Sequence, residues 1–254
     1  MSAGRRIRGM ADVPRQLVLD PALAPRGRFR QLPLDLALAP QYGAAQFHVS
    51  ACNAAAHAMI GLWPDWPDRA LLLTGPSGSG KTHLLHIWAE RARARIIGGP
   101  QLAICDAAAL ARAGALAIDD ADGACAAGAE AQLFHLLNLM RESGRGLLLA
   151  ARLRPERWDA QTQDLLSRLR LAPGVAIAAP DEALLRAVLA KLFADRQLAV
   201  EADIVEYVAL RIPRSLEAAR KTVAALDGEA LARGAKITRG LAARVLEAQG
   251  GEDD

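Results

Sequence analysis

TGPSGSGKTHLL, residues 74–85, is the stretch on which the reading of this chain turns. Gly75, Gly80, Lys81 and Thr82 stand at the spacing G-x-x-x-x-G-K-[ST]. Glycines let successive backbone N–H groups turn inward around phosphate oxygens with no Cβ in the way. The candidate cradle is therefore the whole loop: Gly75, Pro76, Ser77, Gly78, Ser79 and Gly80. Lys81 adds a compact positive charge for the β- and γ-phosphates, and the Thr82 hydroxyl is a ligand for Mg²⁺. His83 follows in the first turn of a helix whose positive end points at the same place. The context that the motif demands is present, with a strand-like RALLLT before the loop and a helical pattern after it. ADP or ATP with Mg²⁺ is the expected ligand.

Working outward, five short apolar runs read as strands buried on both faces: Ala70–Thr74, Arg95–Ile97, Ala115–Ile118, Gly146–Ala150 and Gly174–Ala178. Helix-like stretches at 82–94, 101–112, 130–142 and 161–170 alternate with them. That alternation predicts an α/β fold, a five-stranded parallel sheet with helices on both faces. GALAIDDAD (114–122) ends the third strand in two acids. Asp119 is placed to hold Mg²⁺ and Asp120 to orient an attacking water. After Pro180 the pattern is purely helical, opening with Asp181 as an N-cap. We expect a flexible arm at 1–40, a nucleotide-binding domain at 41–179, a helical lid at 180–248 and a disordered tail at 249–254.

The totals agree with this. Of 254 residues, 52% are apolar and 23% charged, as in a protein with a real core. Aromatics make up 4%, so aliphatic side chains are expected to fill it. No apolar run approaches the ~18 residues of a membrane span, and the N-terminus lacks the apolar region of a secretory signal. Cys52, Cys105 and Cys125 form no metal or disulfide spacing and read as small buried apolar residues in a reducing compartment. A cytosolic location follows. Residues 1–30 hold seven arginines and two aspartates, a net +5, which leaves −2 for the rest of a chain whose total is +3. A mildly acidic body with a basic arm is not the footprint of a dedicated DNA reader, so no sequence-specific nucleic acid contact is expected.

The chain resembles the AAA+ ATPases, and among them the DnaA-related family. The resemblance rests on GKTHLLH (80–86), the Asp119–Asp120 pair, LFHLLN (133–138), DLLSRL (164–169) and PRSLEAAR (213–220), and covers residues 42–246. FHVSACNAAAHAMI (47–60) looks like the family's entry segment, which lines the adenine side. The resemblance implies that Arg168 is an arginine finger offered to a neighbouring subunit's nucleotide, and that Arg214 is the lid arginine reaching the bound phosphates. Arg152 and Arg170 are open alternatives as solvated arginines. In LLLAAR (147–152), Ala150 and Ala151 stand where the family has polar sensor residues, so the chain's own hydrolysis is expected to be weak.

A second passage bears on partners. RQLPLDLALAP (30–40) nearly repeats RQLVLDPALAP (15–25). QLPLDL looks like the peptide with which replication proteins dock on the DNA polymerase III sliding clamp, its beta subunit. A proline-stiffened extended segment needs little ordering, and its aliphatic side chains enter a preformed pocket. Gln31 is the anchor; Leu32, Leu34 and Leu36 are the apolar contacts. The upstream copy has Pro21 in place of the last leucine and is either a weaker second site or an inert duplication. An arm of this kind ahead of an AAA+ core, with no DNA-reading domain behind it, resembles the Hda-like regulatory branch. That resemblance implies a negative regulator that stimulates hydrolysis of ATP bound to DnaA. The alternative is an autonomous helicase or clamp loader. Self-association stays open.

Overall fold

The computed structural model describes residues 42–250. At its centre lie five strands, β1 (Ala70–Thr74), β2 (Arg95–Gly98), β3 (Leu116–Asp119), β4 (Leu147–Ala151) and β5 (Gly174–Ala176), all parallel in the order β2-β3-β4-β1-β5. Parallel strands bring their carboxyl ends to one edge, and every return must cross through a helix. α1 (Ala54–Gly61) and α2 (Lys81–Ala92) cover one face; α3 (Ala107–Ala113), α4 (Gly123–Ala126), α5 (Glu130–Glu142) and α6 (Gln163–Leu171) cover the other. The period of two in the strands divides the core between them. Leu71, Leu73, Leu148 and Ala150 face α2, whereas Leu72, Leu149 and Ala151 face α5. The expected α/β fold is the observed one.

The differences from expectation are local. Asp119 and Ala151 lie within their strands, because the ladder continues past the last apolar residue to the pairs Gly98↔Asp119 and Thr74↔Ala151. The helix expected over 101–112 is interrupted, since Asp106 turns its carboxylate to the amide of Ala108 at 2.8 Å and starts α3 afresh. The core is also not wholly aliphatic. Trp66 and Trp88 stack with centroids 5.3 Å apart and planes at 20°, and Trp63 meets both edge-on. A Cβ at Gly146 would lie 2.3 Å from the Trp63 ring, so the glycine ahead of β4 makes room for it. The three cysteines are half-buried rather than buried.

Four helices, α7 (Glu182–Asp195), α8 (Ala202–Ala209), α9 (Leu216–Arg233) and α10 (Arg239–Gly250), enclose a separate core around Leu189, Phe193, Val208, Val223 and Leu241. Asp181 caps α7, accepting from the Leu184 amide at 2.7 Å, and Ser215 caps α9 through the amides of Glu217 and Ala218. None of the described helices is long and apolar enough to cross a membrane.

Glu130, at the start of α5, holds the entry to α6 in place. Its carboxylate accepts from the amides of Gln161 (2.8 Å) and Thr162 (2.7 Å) and from the Thr162 hydroxyl. The hydroxyl, helped by the two amides, holds the carboxyl below the usual glutamate range. Glu130→Ala hands both amides to solvent and frees the entry to α6, and we expect Tm to fall by roughly 2–4 °C in calorimetry. A depressed pKa means that the contribution is complete above the ordinary value of ~4.3 and is lost as pH falls through the lower folded value. The Tm gap between wild type and variant should therefore close in that acid range.

Candidate nucleotide-binding site

A cavity of about 430 Å³ opens at the carboxyl edge of the sheet, between the 75–80 loop, the first turns of α2 and α9, and Tyr42. The loop's shape depends on two close approaches. A Cβ on Gly75 would stand 2.3 Å from the Ile177 carbonyl oxygen, and one on Gly78, where φ is +68°, would stand 1.9 Å from Ser215 Oγ. Gly78 also accepts a hydrogen bond from the Leu216 amide at 2.8 Å, so the lid's α9 sits directly on the loop. The Ser77 hydroxyl reaches Glu217 across the same seam at 3.4 Å. Ser79 is buried, and its Oγ finds no partner among the described residues. An unsatisfied hydroxyl within such a loop fits a ligand rich in acceptor oxygens.

Lys81 is buried and donates from Nζ to the carbonyls of Gly75 and Pro76, both at 2.8 Å. Burial pulls its pKa below the ordinary lysine value, opposed chiefly by the charge of Asp119. Thr82 Oγ1 donates to Asp119 Oδ2 at 2.8 Å, and Asp119 Oδ1 accepts the Asp120 amide at 3.0 Å. The structure thus brings together the hydroxyl and carboxylate proposed for Mg²⁺. Among the described residues no group of three or more His, Cys, Asp or Glu side chains is arranged to hold a metal. One carboxylate and one hydroxyl suit a cation that completes its shell with phosphate oxygens and water.

His83 lines the cavity and sets Nε2 3.0 Å from the Gly43 carbonyl. A carbonyl only accepts, so Nε2 donates to it, and burial lowers the ring's pKa below the ordinary histidine value. Tyr42 lies edge-on to His83 at 5.5 Å and stacks on His86 at 4.3 Å. From the segment at 47–60, Phe47 packs against His83 and His57, but no residue of that segment lines the cavity. Its role is support: the Asn53 amide group donates to the His48 carbonyl at 2.9 Å, and the Cys52 carbonyl accepts from Ala178.

Two arginines that face the cavity were not singled out for it by sequence. Arg214 is exposed, precedes the Ser215 cap and does not line the cavity. Arg220 does, because it stands one turn beyond Leu216 on the same face of α9. Arg152 also lines it, with Nε 3.4 Å from Asp120 Oδ1. Register gives the signal that was missed: Ala151 pairs with Thr74, so the next residue emerges beside the loop.

Arg168 is elsewhere. It lies in the last turn of α6, beside a small recess that includes Ala70 and Leu147, the first residues of β1 and β4. The loop leaves the opposite end of β1, so a strand of about 17 Å separates Arg168 from its own chain's cavity. Its neighbours are engaged: Arg170 pairs with Glu156 at 3.4 Å, Arg141 with Asp68 at 3.2 Å, and Arg145 donates to the Ala111 carbonyl at 2.7 Å. Arg168 has no ion pair among the described residues. Gln31, Leu32, Leu34 and Leu36 lie outside those residues.

No family model matches the chain. It is 29% identical over 197 residues to the chromosomal replication initiator protein DnaA of Rippkaea orientalis, a match that covers 68% of this chain and 43% of that protein. The chain thus corresponds to less than half of that relative's length. Among solved structures it is similar to domain III of the Thermotoga maritima replication initiation protein DnaA, with a TM-score of 0.70 at 19% identity over 82% of this chain and 97% of the other. It is also similar to AMPPCP-bound DnaA from Aquifex aeolicus, with a TM-score of 0.61 at 19% identity over 74% and 65% of the two chains. The fold is that of an AAA+ P-loop NTPase.

Lys81→Ala should weaken ADP and ATP alike by about 10- to 100-fold, the loss expected for a charge-assisted contact worth ~1.5–3 kcal/mol. Calorimetric titration reads this directly, and unchanged affinity would remove the phosphate-loop assignment.

Proposed function

We propose that this chain is a nucleotide-binding regulator of replication initiation: docked on the DNA polymerase III sliding clamp, it promotes hydrolysis of ATP held by DnaA. The observation that carries the reading is the placement of Arg168, without an ion pair among the described residues and on a face remote from its own cavity. An arginine finger stabilises the charge developing on a γ-phosphate that its own subunit does not hold. Its own cavity would take ADP or ATP on the 75–80 loop, with Thr82 and Asp119 holding Mg²⁺ and His83 closing the base side together with Tyr42. The bound cation would neutralise phosphate charge there. In the lid we assign Arg220, rather than Arg214, as the cation facing the nucleotide. Ala150 and Ala151 are fully buried and carry no group that hydrogen-bonds a phosphate or a water. This supports a site that binds nucleotide and turns it over slowly, with Asp120 as the acid nearest to a water-orienting role. The arm, through Gln31, Leu32, Leu34 and Leu36, supplies the tether.

Reconstitution with clamp on DNA and DnaA carrying labelled ATP tests the finger. Arg168→Ala should keep the fold and nucleotide affinity yet lose stimulation by a factor on the order of 10³. Arg170→Ala, which removes only a solvated pair with Glu156, should change little. Full stimulation by the Arg168 variant would move the assignment toward an autonomous motor.

The tether is tested separately. Leu34→Ala with Leu36→Ala should abolish clamp binding in a pull-down, each truncation in a deep pocket costing on the order of 2 kcal/mol. Nucleotide affinity should stay as in the wild type. Normal clamp binding, even after residues 15–20 are also deleted, would refute the tether.

A further inference from the structure

We infer that Arg152 is a built-in restraint on this chain's own site: it holds Asp120 in an ion pair and so withholds the carboxylate best placed to orient a water. The inference rests on reading the cavity as a nucleotide site. It goes beyond the loss of polar groups at Ala150 and Ala151, because it names a residue that acts against hydrolysis rather than one that is missing.

The arrangement is built from both sides. The Ala121 amide donates to the Ala150 carbonyl at 2.8 Å, which brings the end of β3 level with the end of β4. Asp122, whose side chain is 7% exposed, accepts from the amides of Arg152 and Leu153 at 3.1–3.3 Å and stands 3.9 Å from Arg152 Nε. One carboxylate thus fixes both the backbone and the guanidinium of Arg152. Asp120 is equally constrained, with φ at +51°, a conformation that costs a non-glycine residue free energy. The Gly123 amide donates to its carbonyl at 2.9 Å. A Cβ on Gly123 would lie 2.7 Å from Asp120 Oδ2, so that oxygen packs against the glycine while Oδ1 faces Arg152 at 3.4 Å. The Asp120 side chain remains 47% exposed on the cavity, so pairing rather than burial is what engages it.

Hydrolysis requires a water oxygen to bond to the γ-phosphorus as the β–γ bridging oxygen leaves with ADP, the water's proton ending on the phosphate product or in solvent. A carboxylate helps by accepting the water's hydrogen bond, and a guanidinium on that carboxylate competes for the same lone pairs. The same pairing shields a bound triphosphate from the negative charge of Asp120.

The test uses the full chain with ADP, ATP and the non-hydrolysable triphosphate AMPPCP. Arg152→Ala should raise single-turnover hydrolysis of ATP about tenfold, a fraction of the ~10²–10⁴ that a positioned acid–base group supplies. It should weaken AMPPCP about fivefold while leaving ADP within about twofold, the scale of one exposed charge pair. Adding Asp120→Asn should return both hydrolysis and AMPPCP affinity toward wild type, and Arg152→Lys should keep hydrolysis slow. Hydrolysis that is unchanged or reduced in Arg152→Ala overturns the inference. So does an AMPPCP loss that Asp120→Asn does not relieve, which would make Arg152 a direct phosphate ligand. A wild-type chain that binds none of the three nucleotides refutes the nucleotide reading of the cavity, and the restraint with it.

Discussion

The amide of Leu216 and the carbonyl of Gly78 meet at 2.8 Å, and most of what the molecule can do at its cavity follows from that contact. It requires glycine at position 78, since a side chain there would collide with the Ser215 hydroxyl that caps α9. The residue that caps α9 thus also fixes how closely the lid approaches the loop. Glu217 and Arg220 reach the cavity because α9 begins at this point, and the Ser77–Glu217 contact lies on the same seam.

Charge is the second constraint. Three aspartates, Asp119, Asp120 and Asp122, crowd the end of β3, and Lys81 and Arg152 answer them from the start of α2 and from just past β4. Each carboxylate has its own engagement: Asp119 with Thr82, Asp120 with Arg152, Asp122 with two backbone amides. A site built this way distinguishes its carboxylates by partner as well as by burial, Asp122 being 7% exposed and Asp120 47%.

The parallel sheet and the phosphate loop were legible in sequence because both depend on local pattern: short apolar runs, glycines at fixed offsets, and Lys-Thr in register. Asp119 was legible for the same reason, as an acid closing the third run. What local pattern does not carry is who stands beside whom. Arg152 belongs to the cavity only through pairing between β1 and β4, distant in sequence, and Arg220 only once Ser215 is known to start α9. Tyr42 reaches the cavity only through its packing on His83 and His86, which local pattern does not show. The indole cluster was hidden by an aromatic content of only 4%, since composition reports how many rings there are and not that three of them converge.

Those indoles give the molecule an optical property. Trp88 belongs to α2, the helix that begins with Lys81 and Thr82, while Trp66 lies just ahead of β1, the strand that feeds the loop. Three indole rings with centroids 5.0–5.3 Å apart couple their electronic transitions, so the cluster adds to the chain's near-ultraviolet circular dichroism as a unit rather than as separate rings. A shift of α2 against the segment ahead of β1 changes the spacing within that cluster and registers spectroscopically with no label attached. The position of the helix that carries the phosphate-facing lysine is thereby written into the protein's own absorption.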